Sequence, residues 1–174
     1  MHMHVLLFLV NREAKHVVPL YCYYHAGVSD HLYTSNSTEI GTVVPGNAGK
    51  NGFLCEGIEC LVYAKQVEGS VPLHRYWNMS AENHLYTVNV NEIGTTTIGH
   101  IGKNGYKYEG VAGYCFKTHR LRLHYEVVPL YRYWNRKTDD HFYTIHLIKK
   151  VEEEQGNVFT QEGVECYVLM KKGL

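Results

Sequence analysis

Val128–Thr144 reads VPLYRYWNRKTDDHFYT, and the same phrase stands at Val71–Thr87 as VPLHRYWNMSAENHLYT and at Val18–Thr34 as VPLYCYYHAGVSDHLYT. Each copy leads to a shared closing phrase: CEGIECLVY from Cys55, YEGVAGYCF from Tyr108 and QEGVECYVL from Gln161. The register is strict. Pro19 to His31, Pro72 to His84 and Pro129 to His141 each span twelve residues, and Gly57, Gly110 and Gly163 recur every 53. The prolines are 53 and then 57 apart, because four residues lost inside the third unit are matched by four gained in the linker before it. Repetition this regular predicts a single domain, 1–174, built of three equivalent units at 17–63, 70–116 and 127–169. None of these units could bury its apolar face alone.

Within each unit the opening phrase alternates with period two, which reads as a strand. Leu20, Cys22 and Tyr24 share one face, as do Leu73, Arg75 and Trp77, and Leu130, Arg132 and Trp134. Proline at the front suits a strand start, where its missing N–H is harmless. HAGVSD, NMSAEN and NRKTDD read as hairpin loops, and HLYT, HLYT and HFYT as second strands. GKNG at Gly49 and at Gly102 is a turn signal ahead of the closing strand. Between them, IHLIKKVEEEQGN reads as a short amphipathic helix, with Ile145, Ile148 and Val151 at spacing three and a stop at Gly156. By analogy, a helical turn is expected at Thr38–Ile40 and at Asn91–Ile93.

The run VLLFLV, Val5–Val10, stands nine residues before Pro19, as Tyr63 does before Pro72, so it matches the register of a closing strand. An extra closing strand at 5–10 would leave no exposed edge if it paired with material near the C-terminus. The expected fold is therefore all-β: three pseudo-symmetric repeats in a closed three-bladed propeller-like ring with short helical inserts. The alternative is a β-trefoil, whose fourth strand per unit would come from AKQVE at Ala64 and LRLHYE at Leu121.

Composition bounds the partners. Seventeen Lys and Arg balance seventeen Asp and Glu with no basic block, which argues against nucleic acid. Fifteen tyrosines suit pleated, half-buried surfaces. No apolar run approaches the ~20 residues of a membrane span. VLLFLV is short for a signal-peptide core and lacks a small-residue cleavage site, so no signal peptide is recognisable. The five cysteines do not repeat with the unit: Cys60 and Cys166 match, but Gly113 stands between them. They read as buried thiols, with two disulfides and one free thiol as the alternative.

The phrases PLYRYWN, DHFYT and EGVAGY resemble a tandem repeat family of unknown function found in secreted bacterial and fungal proteins, which reads PLYR–N–DHFYT–helix–YEGVAFY. The resemblance covers Val17–Leu169. The first unit departs from it at Cys22 and His25, where the family has Arg and Asn. It implies extracellular modules beside enzymes, sometimes suggestive of glycan binding, and carries no established activity to transfer.

The chemistry-bearing residues admit several readings. His31, His84 and His141 recur once per unit, each after Asp30, Asn83 or Asp140. They could converge as a three-His metal site, or each could be oriented by its acidic neighbour inside its own unit. The expectation is structural, with no metal and no cofactor. Glu56, Glu109 and Glu162 could do acid–base work, but one Glu before Gly in each unit reads as a loop cap. The opening Met-His-Met-His could hold a soft metal weakly, and sequons stand at Asn36 and Asn78. No nucleophile elbow, phosphate loop or metalloprotease helix is present, so no enzyme is expected.

The ligand-binding candidates are Arg75, Trp77 and Asn78 in the second unit, Arg132, Trp134 and Asn135 in the third, and Tyr24 and His25 in the first. An exposed Trp beside an Asn offers a ring face for stacking on a sugar and an amide for its hydroxyls. In the competing reading, the arginines stack on aromatics and bridge units. The expected function is a lectin-like module whose partner is a glycan or glycoprotein. A protein-interaction or structural module comes second, and a hydrolase or metal site on the repeated His and Glu last.

Overall fold

In each unit the opening strand is flanked by the other two. The computed structural model describes residues 15–148 and 159–172. Strands β1 (Val17–His25), β2 (Asp30–Thr34) and β3 (Leu54–Tyr63) form the first unit. The second comprises β4 (Val71–Asn78), β5 (Asn83–Thr87) and β6 (Tyr106–Cys115), and the third β7 (Tyr125–Asn135), β8 (Asp140–Thr144) and β9 (Phe159–Lys171). All pairings between these strands are antiparallel. Four-residue loops turn each hairpin, and the residue before each second strand sits at positive φ (Ser29 57°, Glu82 52°, Asp139 59°).

GKNG forms a 3-10 turn at Lys50–Gly52 and again at Lys103–Gly105, each leading into a closing strand. Helical turn α1 (Val90–Ile93) is capped by the Asn89 side chain and ended by Gly94 at φ 89°. The matching segment of the first unit, Thr38–Ile40, is a turn rather than a helix. Most of the helix expected in the third unit and all of Val5–Val10 lie outside the described residues.

The closed ring is not formed. The nine strands make one antiparallel sheet that is neither closed nor strongly curled. The units join through single bridges between closing strands, Tyr63 with Tyr114 and Leu61 with Leu169, and through the Phe116–Tyr167 bridge. The physical reason lies in the second strands. A ring of blades would close by laddering strand to strand, but β2, β5 and β8 end their units as edges. The backbone of those edges is met by side chains instead. Tyr33 N–H donates to the Tyr86 hydroxyl, Tyr86 N–H to that of Tyr143, and Tyr143 N–H to that of Tyr33. Each hydroxyl donates in turn to the carbonyl of the same neighbour. The trefoil alternative lacks its fourth strands: Ala64–Glu68 is not strand, and of the LRLHYE segment only Tyr125 and Glu126 join β7.

The central core takes equivalent residues from all three units, Leu20, Leu73 and Leu130 with Tyr33, Tyr86 and Tyr143. Smaller cores form inside the first unit around Tyr23 and inside the second around Tyr76. All five cysteines are buried and free.

Candidate functional site

The EG phrase is a β-bulge. Along β3, β6 and β9 the register slips twice, passing over Glu56 and Glu59, Glu109 and Ala112, and Glu162 and Glu165. The glycine after the first bulged residue has φ 118° at Gly57, 133° at Gly110 and 132° at Gly163, a conformation glycine adopts readily. A bulge re-aims the side chain it carries. Glu109 thus meets Arg75 of its own unit at 2.9 Å and His84 at 3.5 Å, and Glu162 meets Arg132 at 2.7 Å and His141 at 3.8 Å. These glutamates are ion-pair partners rather than the loop caps expected.

Each arginine also reaches the preceding unit. Arg75 holds Glu39 of the first unit at 2.9 Å, and Arg132 holds Glu92 of the second at 3.0 Å. So the arginines do bridge units, through carboxylates. Burial raises the pKa of Glu39, Glu92 and Glu109, but donors outweigh it and hold all three below the ordinary carboxylate range. These donors are Arg75 and Thr34 for Glu39, Arg132 and Thr87 for Glu92, and His84 and Arg75 for Glu109. In the first unit Cys22 replaces the arginine, and its thiol donates to Glu56 at 3.2 Å.

Two of the three histidines take their aspartate from a neighbouring unit rather than from the position beside them in sequence. Asp30 accepts both the backbone N–H of His84, at 2.8 Å, and its Nδ1–H, at 2.7 Å. Asp140 does the same for His31, at 3.1 and 2.6 Å. The cycle breaks at Asn83, whose amide instead donates to the Asp139 carbonyl and accepts from the Tyr106 hydroxyl. His141 Nδ1 is left buried without a hydrogen-bond partner. Among the described residues no three His, Cys, Asp or Glu side chains are grouped to hold a metal.

These contacts line two equivalent clefts between units. The first, about 480 Å³, includes His25, Asn51 and Phe53 of the first unit, with Trp77, His84 and Glu109 of the second. The second, about 330 Å³, includes Asn78, Asn104 and Tyr106 of the second unit, with Trp134, His141 and Glu162 of the third. Every residue named in one has its counterpart 53 or 57 positions on in the other. At the junction of the third and first units Tyr24 takes the tryptophan's place, 4.6 Å from His31, and Phe142 takes that of Leu85, 4.9 Å from His31.

The structure thus separates residues that read as one platform. Trp77 lines the first cleft, and Asn78, its neighbour in sequence, lines the second beside Trp134, because successive strand residues face opposite ways. The amides are also engaged. Asn78 Oδ1 accepts the N–H groups of Ser80 and Ala81, and Asn135 Oδ1 those of Lys137 and Thr138. His25 Nδ1 performs the same loop capping for Gly27 and Val28, so His25 replaces Asn in kind. Arg75 and Arg132 stay with their tryptophans' clefts through Glu39 and Glu109, and through Glu92 and Glu162. Sequence reading missed Glu39 and Glu92, whose signal was the EIG phrase repeated at Glu39 and Glu92.

A family model described as Domain of unknown function (DUF5648) matches residues 5–116 and, in an overlapping second match, residues 94–173. The chain belongs to this family, and the doubled match fits its internal repetition. No curated protein and no solved structure matches the chain. Among the described residues no helix is long and apolar enough to cross a membrane.

Proposed function

We propose that this member of a family of unknown function is a non-catalytic glycan-binding module that holds saccharides in the clefts between its units. The observation that carries the reading is the duplication of one cleft: a partly exposed indole on one wall, and carboxylate, amide and imidazole groups around it. Volumes of about 480 and 330 Å³ fall in the lower part of the range of small-ligand sites. An indole face for sugar C–H groups and charged acceptors for hydroxyls is the chemistry a saccharide needs.

The absence of catalysis has its own support. A glycosidase requires one carboxyl protonated at working pH. In the first cleft Glu39 and Glu109 are both held below the ordinary range, Glu39 by Arg75 and Thr34 and Glu109 by His84 and Arg75. Two weak sites on one scaffold would act together on a glycan surface.

One observation favours a protein-interaction module instead. Ile58, Val111 and Val164 occupy the same position after each bulge glycine and are 59, 41 and 45 % exposed. A glycan array separates the two readings. The glycan reading expects specific spots that Trp77→Ala and Trp134→Ala each weaken without unfolding the chain. A blank array, with protein binding lost in Ile58→Asp or Val111→Asp variants, would replace it.

A further inference from the structure

The two clefts share an architecture but not a charge. In the first, Glu39 and Glu109 are balanced by Arg75 and Lys107, formally two against two. In the second, the position of Lys107 is taken by Thr160. Among the described residues Glu92, Glu162 and Asp139 line it, and Arg132, paired with Glu92 and Glu162, is the guanidinium that offsets them, formally three against one. Arg132 is shared further with Glu165, 3.1 Å away. Partly buried carboxylates that outnumber their cations are costly unless a bound cation offsets them.

His141 lines this cleft with its Nε2 3.8 Å from Glu162. The indole adds a second feature. Trp134 stands at the wall with its Nε1–H donated to Asp139 at 2.8 Å, which places a carboxylate beside the indole. An aromatic face next to carboxylates is the pairing that recognises an alkylammonium group. A bare metal ion fits less well, since no three ligating side chains converge among the described residues.

We propose that the cleft between the second and third units selects a saccharide bearing a free ammonium group, an amino sugar, while the cleft between the first and second units takes a neutral one. This rests on the glycan-binding reading.

The chain has two tryptophans, one in each cleft, so each reports on its own site. In Trp77→Phe protein, shown folded by its melting transition, Trp134 fluorescence is titrated with glucosamine, N-acetylglucosamine and methylammonium. Glucosamine should bind about tenfold tighter than N-acetylglucosamine, and methylammonium more weakly than glucosamine. In Trp134→Phe protein, Trp77 should show no preference for the amine. Asp139→Asn, which keeps an acceptor for the indole, should lower the preference several-fold. Equal affinities for the two sugars at Trp134 would overturn the inference while sparing the glycan reading. Methylammonium binding as tightly as glucosamine would overturn the saccharide assignment of this cleft. Silence of both tryptophans to every sugar would end both readings.

Discussion

The hydroxyl of Tyr86 accepts the N–H of Tyr33 at 2.7 Å and donates to the carbonyl of Tyr33 at 2.8 Å. One phenol thus satisfies both backbone groups on the free edge of β2, as a further strand would. Tyr143 does the same for Tyr86, and Tyr33 for Tyr143. The three rings meet edge to face at centroid separations of 5.4 to 5.5 Å. Burial pushes all three phenols well up from their ordinary pKa, so they stay protonated donors.

Tyr86→Phe keeps the ring and removes the hydroxyl, leaving a buried N–H and C=O unpaired. The expected loss is about 2–4 kcal/mol by denaturant unfolding, with similar losses for Tyr33→Phe and Tyr143→Phe. A change below ~0.5 kcal/mol would mean that the edges find other partners.

Asp30 and His84 supply a pH-dependent contact between the first and second units. Burial disfavours the imidazolium, but Asp30 and Glu109 outweigh it and raise the His84 pKa above its ordinary 6.5. A raised base pKa contributes stability that is complete below the unfolded pKa and lost as pH rises through the folded one. Asp30→Asn should therefore lower stability by about 3 kcal/mol at pH 5.5, and by less at pH 8. Equal losses at both pH values would contradict the assignment.

Asn83→Asp restores to His141 the carboxylate that His31 and His84 possess. Burial now holds the His141 pKa below the ordinary value. The variant should move it upward in a histidine NMR titration and, by the same sign rule, add on the order of 1 kcal/mol below the unfolded pKa. An unmoved His141 would show that residue 83 does not face its Nδ1.

Much of this was legible in the chain. Repetition placed the nine strands, and the turn chemistry of GKNG placed the 3-10 turns. The rest was hidden for physical reasons. A bulge adds one residue to a period-two pattern, and nothing local marks Glu109 as that residue except the glycine after it. Asp30 and His84 lie 54 residues apart, and nothing in the local sequence pairs them, whereas Asp30 and Asp140 each adjoin a histidine of their own unit. Tyr33 in HLYT reads as one more inward aromatic, and its hydroxyl's role at a neighbour's edge decides between closed ring and open sheet. Trp77 and Asn78 adjoin in sequence and so read as one platform, whereas strand geometry sends them to different clefts.

Entry of saccharides into the clefts between units is what the proposed function stands on. The most direct measurement is an amide and indole chemical-shift titration with the best ligand from the array. The indole Nε1–H peaks of Trp77 and Trp134 should shift together with the amides of His84 and His141, while the amides of the buried Tyr33, Tyr86 and Tyr143 stay fixed. Still indole peaks, or shifts confined to the apolar groove lined by Val17, Ile58, Tyr125 and Leu169, would contradict it.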